Sequence, residues 1–243
     1  MTREVLVFVH GFLGGGAQWA RQRAYFSDTF DVRTPDLPGY GERSADTGLD
    51  RIEDFAAEVL SGLAAGGVDT FNLVGHSMGG MIAQEMSRQA PARILKQVFY
   101  GTGPMGALPG RFETIQKSKE RAISDGVDAT GRRISATWFL HGENAPGCAV
   151  CADLAVKVSM ETMLAGLTAM EHWSGVDALA TFKMPTLILW GDNDRTYPWS
   201  QPEQLWQTIP DAALSVVPGC AHAVHLEKPD LFNTILRDFL CPN

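Results

Sequence analysis

The chain has 243 residues, of which 45% are apolar, and a formal net charge of -8. That length can bury a large core, as one α/β domain with an insertion or as two small domains. The acidic balance counts against nucleic acid or an anionic membrane surface as partner, and no apolar run reaches the roughly 18 residues that would cross a bilayer.

Val5 to Val9 is a short β-rich run ending at His10-Gly11, followed by the glycines Gly14, Gly15 and Gly16. With Glu4 beside it and a glycine loop behind it, the run reads as a strand rather than a leader segment, and the expected location is the cytoplasm. Asp31 to Thr34 reads as a second strand, closed by the turn Asp36-Leu37-Pro38-Gly39-Tyr40-Gly41. Asp50 is placed to cap a helix over 51–65, where Ile52, Phe55, Ala56, Val59, Leu60 and Leu63 follow the helical period and Gly66 ends it. An apolar run from Phe71 to Val74 follows. Behind it Met78, Met81, Ile82 and Met86 repeat as on one helix face, up to Pro91. Gln97 to Tyr100 is the next predicted strand. Strands alternating with helices predict a mostly parallel sheet covered on both faces.

From about Pro104 the pattern changes. Residues 105–178 read as helical, with Met160, Met163, Leu164, Leu167 and Met170 on one face. Strands resume at Thr186 to Trp190 and Ala213 to Val217, and Pro229 opens a last helix. The expected organisation is an α/β core of residues 1–104 and 179–243 with a helical cap of residues 105–178 over the carboxyl edge of the sheet. Cys148 and Cys151 form a lone C-x-x-C without a second pair or a redox setting, so all four cysteines read as reduced thiols, with no metal site and no cofactor.

The stretch Gly75-His76-Ser77-Met78-Gly79-Gly80 carries the chemistry. A Gly-x-Ser-x-Gly between a strand and a helix makes a nucleophile elbow. Its glycines leave room for a strained serine at a helix N-terminus, where negative charge is favoured. A serine hydroxyl needs a base, and the base needs an orienting group. Of the six histidines, His76 lies inside the elbow, His10 precedes a glycine loop, and His141 and His172 fall in the inserted block. His222, in the loop after the last strand, is the candidate base, with His225 as the alternative. Leu187-Ile188-Leu189-Trp190 runs into Gly191-Asp192-Asn193-Asp194, so Asp194 or Asp192 is the candidate acid.

With these motifs in order, nearly the whole chain resembles the α/β-hydrolase fold superfamily. The shared features are His10-Gly11, residues 36–44, the elbow, Gly191-Asp192-Asn193-Asp194, and His222 with Glu227 and Pro229 downstream. The resemblance implies that the acid is the second aspartate, Asp194. It implies an oxyanion hole made by the backbone N–H groups of Phe12 and Met78. Many members have two further strands before the one that precedes His10-Gly11, so about six strands are expected here. Ser77 separates the chain from the haloalkane dehalogenases and epoxide hydrolases, which use aspartate as nucleophile.

The chain looks most similar to small enol-lactonases, carboxylesterases and hydrolases of ring-cleavage diketones. The leading expectation is hydrolysis of a small ester or lactone through an acyl-enzyme on Ser77. The alternative is carbon–carbon bond hydrolysis of a vinylogous diketone, whose enzymes commonly have Asn where this elbow has His76. A non-catalytic receptor on the same fold is a third reading. Phe12 and Leu13 are expected to line the substrate pocket by backbone position, with Trp138 and Met170 from the cap. Phe112 and Trp173 are further apolar candidates there. Arg132 and Arg133 read as a solvated helix face. No pattern in the chain sets an oligomeric state.

Overall fold

The computed structural model describes residues 3–107 and 113–241, so Phe112 lies outside the described residues. Six strands form one sheet: β1 (Val5–Val9), β2 (Asp31–Arg33), β3 (Phe71–His76), β4 (Ile94–Tyr100), β5 (Thr186–Gly191) and β6 (Ala213–Val217). They lie in the order β2-β1-β3-β4-β5-β6, and every neighbouring pair is parallel. Strands of this kind are buried on both faces and read as continuous apolar runs. β1 shows why. Leu6 and Phe8 join one core, with Val74, Val98 and Tyr100. Val7 and Val9 join the other, with Leu73 and Phe99.

The helices are α1 (Ala20–Phe26), α2 (Ile52–Ala65), α3 (Met78–Gln89), α4 (Ile115–Ala136), α5 (Cys148–Ala155), α6 (Met160–His172), α7 (Ser200–Thr208), α8 (Val224–Glu227) and α9 (Pro229–Leu240). α2 starts at Ile52 with Arg51 as its first flanking residue and no side-chain cap, so Asp50 does not take the capping role its position predicts. β4 begins three residues before the predicted Gln97. Exposed Leu95 and half-buried Lys96 interrupt its apolar run, yet Ile94 pairs with Phe71 and Lys96 Nζ binds the carbonyls of Phe239 and Leu240.

Helices α4, α5 and α6 form a block between β4 and β5. α4 is kinked at Gly126, whose φ of 85° suits a residue without a side chain. The two chain crossings into and out of the block clasp each other. Gly106 N–H donates to Trp173 O at 3.1 Å and Gly175 N–H to Pro104 O at 2.8 Å, around an antiparallel bridge of Met105 and Ser174.

After β1 the chain adds β2 on one side, then returns to add β3 on the other. The direction therefore reverses between β1 and β3, and ligands in open α/β sheets bind outside the carboxyl ends of the strands at such a point. The loops after β1 and β3 hold Gly11 and Ser77. Among the described residues no helix is long and apolar enough to cross a membrane.

Candidate active site

Ser77 connects β3 to α3 with φ 57° and ψ -122°, a conformation that costs a non-glycine residue on the order of 1–3 kcal/mol. The surroundings hold it there. Ser77 N–H donates to Tyr100 O at 3.0 Å, and Ser77 O accepts from Gly80 N–H and from Thr102 Oγ1, both at 2.8 Å. The glycines on either side are required by close approach. A side chain at Gly75 would stand 2.3 Å from Gly79 O, and one at Gly79 would stand 2.3 Å from Val9 O. Helix α3 can therefore begin directly against the sheet.

The loop after β1 lies on the serine. A Cβ at Gly11 would be 2.9 Å from Ser77 Cβ and 3.4 Å from its Oγ. Phe12 follows at once. Neither Phe12 N–H nor Met78 N–H makes a hydrogen bond among the described residues, so both are available to an incoming oxygen. His10 sets this loop. Its Nδ1–H donates to Gly11 O at 2.9 Å, while its Nε2 accepts from Leu37 N–H at 3.1 Å. Burial pushes its pKa down, which keeps the ring neutral and this pattern intact. Leu13 comes next, fully buried with φ 59°.

His222 Nδ1 lies 2.8 Å from Asp194 Oδ2. Asp194 Oδ1 accepts from Thr196 N–H at 2.7 Å and Tyr197 N–H at 3.0 Å, so the carboxylate is held at both oxygens. The Tyr197 ring stacks on the imidazole at 5.6 Å with planes 16° apart. His222 Nε2 is buried and makes no hydrogen bond among the described residues. Asp192 is exposed, and its Oδ1 accepts from Asn193 Nδ2 and Cys220 N–H. It shapes the turn and does not touch the imidazole.

His225 is built differently. Tyr100 Oη donates its one proton to His222 O at 2.8 Å, so His225 Nδ1, 3.1 Å away, must be the donor to Tyr100 Oη. Burial, with the neighbouring His222 adding to it, lowers the His225 pKa to about 3. His76 donates from Nε2 to His222 O at 3.1 Å and stacks on Tyr100 at 4.5 Å. Its pKa is pushed far down by burial and then by the two neighbouring histidines. His141 and His172 are exposed. Tyr100, Thr102 and Tyr197 therefore belong to the site's support. Their only sequence signal is their place just beyond or at the end of a strand.

From the inserted block, Trp138 reaches the site. It is buried, and its ring centre is 6.2 Å from that of His222. Met170 is buried at the neck of the block, where its carbonyl packs against Gly106. Trp173 shares that neck. Arg132 is exposed beside Asp128, whereas Arg133 turns inward to Glu113 at 2.9 Å, so the two do not form one solvated face. The four cysteines are free. Burial raises Cys151 to about 12 and Cys220 to about 11, and raises Cys148 as well.

The model of the family described as alpha/beta hydrolase fold matches residues 4–229. A 2-hydroxy-6-oxo-6-phenylhexa-2,4-dienoate hydrolase from Burkholderia cepacia is 26% identical over 260 residues, covering 98% of this chain and 87% of the relative. The structure of a thermophilic esterase from Thermogutta terrifontis superposes with a TM-score of 0.88 at 25% identity, covering 98% of this chain and 90% of the other. The enol-lactonase from Burkholderia xenovorans LB400 shares the fold with a TM-score of 0.90 at 24% identity, covering 99% and 92%. With that match and the six-stranded parallel sheet, the chain belongs to the α/β hydrolase fold family.

Proposed function

We propose that this protein is a serine hydrolase of small carboxylic esters or lactones, with Ser77 as nucleophile, His222 as base and Asp194 as orienting acid. The observation that carries the proposal is the Asp194–His222 hydrogen bond in a buried setting, with Nε2 of the imidazole left unpartnered. Asp194 accepts from Nδ1–H, which fixes the tautomer whose Nε2 can take the serine proton. The hydroxyl oxygen attacks the substrate carbonyl, and the oxyanion meets the N–H groups of Phe12 and Met78. Each such donor is worth roughly 2.7–4 kcal/mol in the transition state. His222 then passes its proton to the leaving oxygen, which departs as alcohol and leaves an acyl group on Ser77. In a lactone that oxygen stays tethered to the acyl chain. Water, deprotonated by the same nitrogen, releases the acid.

Residues 105–178 are the cap in this reading, over a core of 1–104 and 179–243. Phe12, Leu13, Trp138 and Met170 line the substrate pocket. Carbon–carbon bond hydrolysis is the second reading, favoured by the likeness to the Burkholderia cepacia ring-cleavage hydrolase over 98% of this chain. Turnover of a panel of p-nitrophenyl esters, lactones and a ring-cleavage diketone tests both. Esters or lactones should be the preferred substrates. Preference for the diketone would transfer the assignment to the second reading, and turnover of any of them would exclude a pure ligand receptor.

A further inference from the structure

Glu227 closes α8, five positions after His222. Its carboxylate gives both oxygens to backbone N–H groups. Oε2 accepts from Ala221 at 2.7 Å, and Oε1 accepts from Leu140 at 2.6 Å. Ala221 immediately precedes His222. Leu140 belongs to the inserted block, 87 positions earlier in the chain. The residue after His222 is tied to the same stretch, since Ala223 N–H donates to Trp138 O at 2.9 Å. Both chain neighbours of His222 are thus fastened to residues 138–140. Nothing else competes for the carboxylate, because Glu227 forms no ion pair among the described residues. Lys228 beside it turns away to Pro218 O.

The core grips residue 222 from the opposite side. Its carbonyl accepts from Tyr100 Oη on β4 and from His76 Nε2 on β3. The loop between β6 and α8 has no regular structure of its own, and Gly219 within it has a φ of 60°. The Asp194 bond orients the ring but leaves the backbone of the loop to be fixed by other contacts. Hydrogen bonds to an ionised carboxylate are about twice as strong as neutral ones, so Glu227 is the strongest contact on the block side.

We propose that Glu227 is a positioning residue that registers the His222 loop against the inserted helical block, so that docking of the block and placement of the base depend on one carboxylate. The inference rests on the reading of His222 as the base. It adds that the block sets the position of that base as well as the shape of the pocket.

Two substitutions test it in the full chain. Glu227→Gln keeps the volume but turns an NH2 group toward one of the two N–H donors. Glu227→Asp keeps the charge but is too short to reach both. The readouts are the rate of Ser77 inactivation by a small fluorophosphonate, kcat and KM for p-nitrophenyl acetate and a longer-chain ester, and the thermal midpoint. The expected result is a loss in inactivation rate and kcat of about 10²-fold, the scale of an ångström-sized misplacement. The factor should be the same for both esters, with KM unchanged. Wild-type rates with only a lowered midpoint would make Glu227 a structural residue and overturn the proposal. A loss confined to KM of the longer ester would do the same, by making it a pocket effect. Failure of the wild-type chain to react at Ser77 would instead bring down the reading of the site. A measurement on the wild-type chain covers the case in which neither variant folds. Ala221 and Leu140 share one acceptor group, so their amide protons should have matching exchange protection. A protected Ala221 beside a rapidly exchanging Leu140 would also overturn the proposal.

Discussion

His222 and Asp194 meet through Nδ1 and Oδ2 at 2.8 Å, each side chain 1% exposed. Burial at this level removes water as a competing partner for either group. Asp194→Asn should lower kcat by about 10⁴-fold, because the amide would favour the wrong imidazole tautomer. Asp192→Asn should have a far smaller effect, since Asp192 only shapes the turn. Steady-state kinetics on any accepted ester compares them, and the reverse ranking would move the acid to Asp192.

Buried neutral histidines make stability depend on pH. Burial lowers the His225 pKa from 6.5 to about 3 in the folded chain. In this window the unfolded chain binds the proton and the folded chain does not, so stability is full above about 6.5 and falls as the pH drops toward 3. The slope is on the order of 1 kcal/mol per pH unit for each such histidine. Denaturant midpoints for wild type and His225→Gln across this range should show a shallower decline in the variant. Parallel curves would mean that His225 does not titrate as its burial requires.

The elbow depends on the absence of a side chain at Gly79, where a Cβ would stand 2.3 Å from Val9 O and 2.5 Å from His10 O. These are backbone atoms of the last residue of β1 and the residue after it, and they cannot rotate away. Gly79→Ala should therefore destabilise by at least the roughly 1–3 kcal/mol typical of overpacking. Chemical denaturation measures it, and an unchanged midpoint would contradict the close packing of α3 on β1.

Much of this was readable in the chain. The elbow was legible because its glycines interrupt an apolar run and a helical period at fixed spacing. The sheet was legible because strands buried on both faces leave continuous apolar runs. The start of β4 was not, since exposed Leu95 and polar Lys96 fall where the register against β3 shifts, between the pairs Phe71–Ile94 and Leu73–Gln97. Arg133 was misread as solvated because its partner, Glu113, lies 20 positions away. The grip of Tyr100 on His222 O spans 122 positions, and the bond from Leu140 N–H to Glu227 spans 87. Contacts of that kind leave no periodicity to read.

Trp138 packs near the His222 ring, and in the proposed pocket it and Met170 both meet the acyl chain. Trp138→Phe should change the ranking of p-nitrophenyl esters by chain length by about 10- to 200-fold, the scale of one apolar contact. Met170→Ala should change it on the same scale. Unchanged selectivity in both variants would assign the pocket to Phe12, Leu13 and the other core loops.

Covalent catalysis at Ser77 leaves an adduct that active-site labelling reads on the protein itself. Wild-type chain treated with a fluorophosphonate should carry one adduct, on the peptide containing Ser77. Ser77→Ala should carry none, and its turnover should fall by up to about a millionfold. An adduct that persists in Ser77→Ala, or a wild-type chain that turns over esters while Ser77 stays unmodified, would contradict the account.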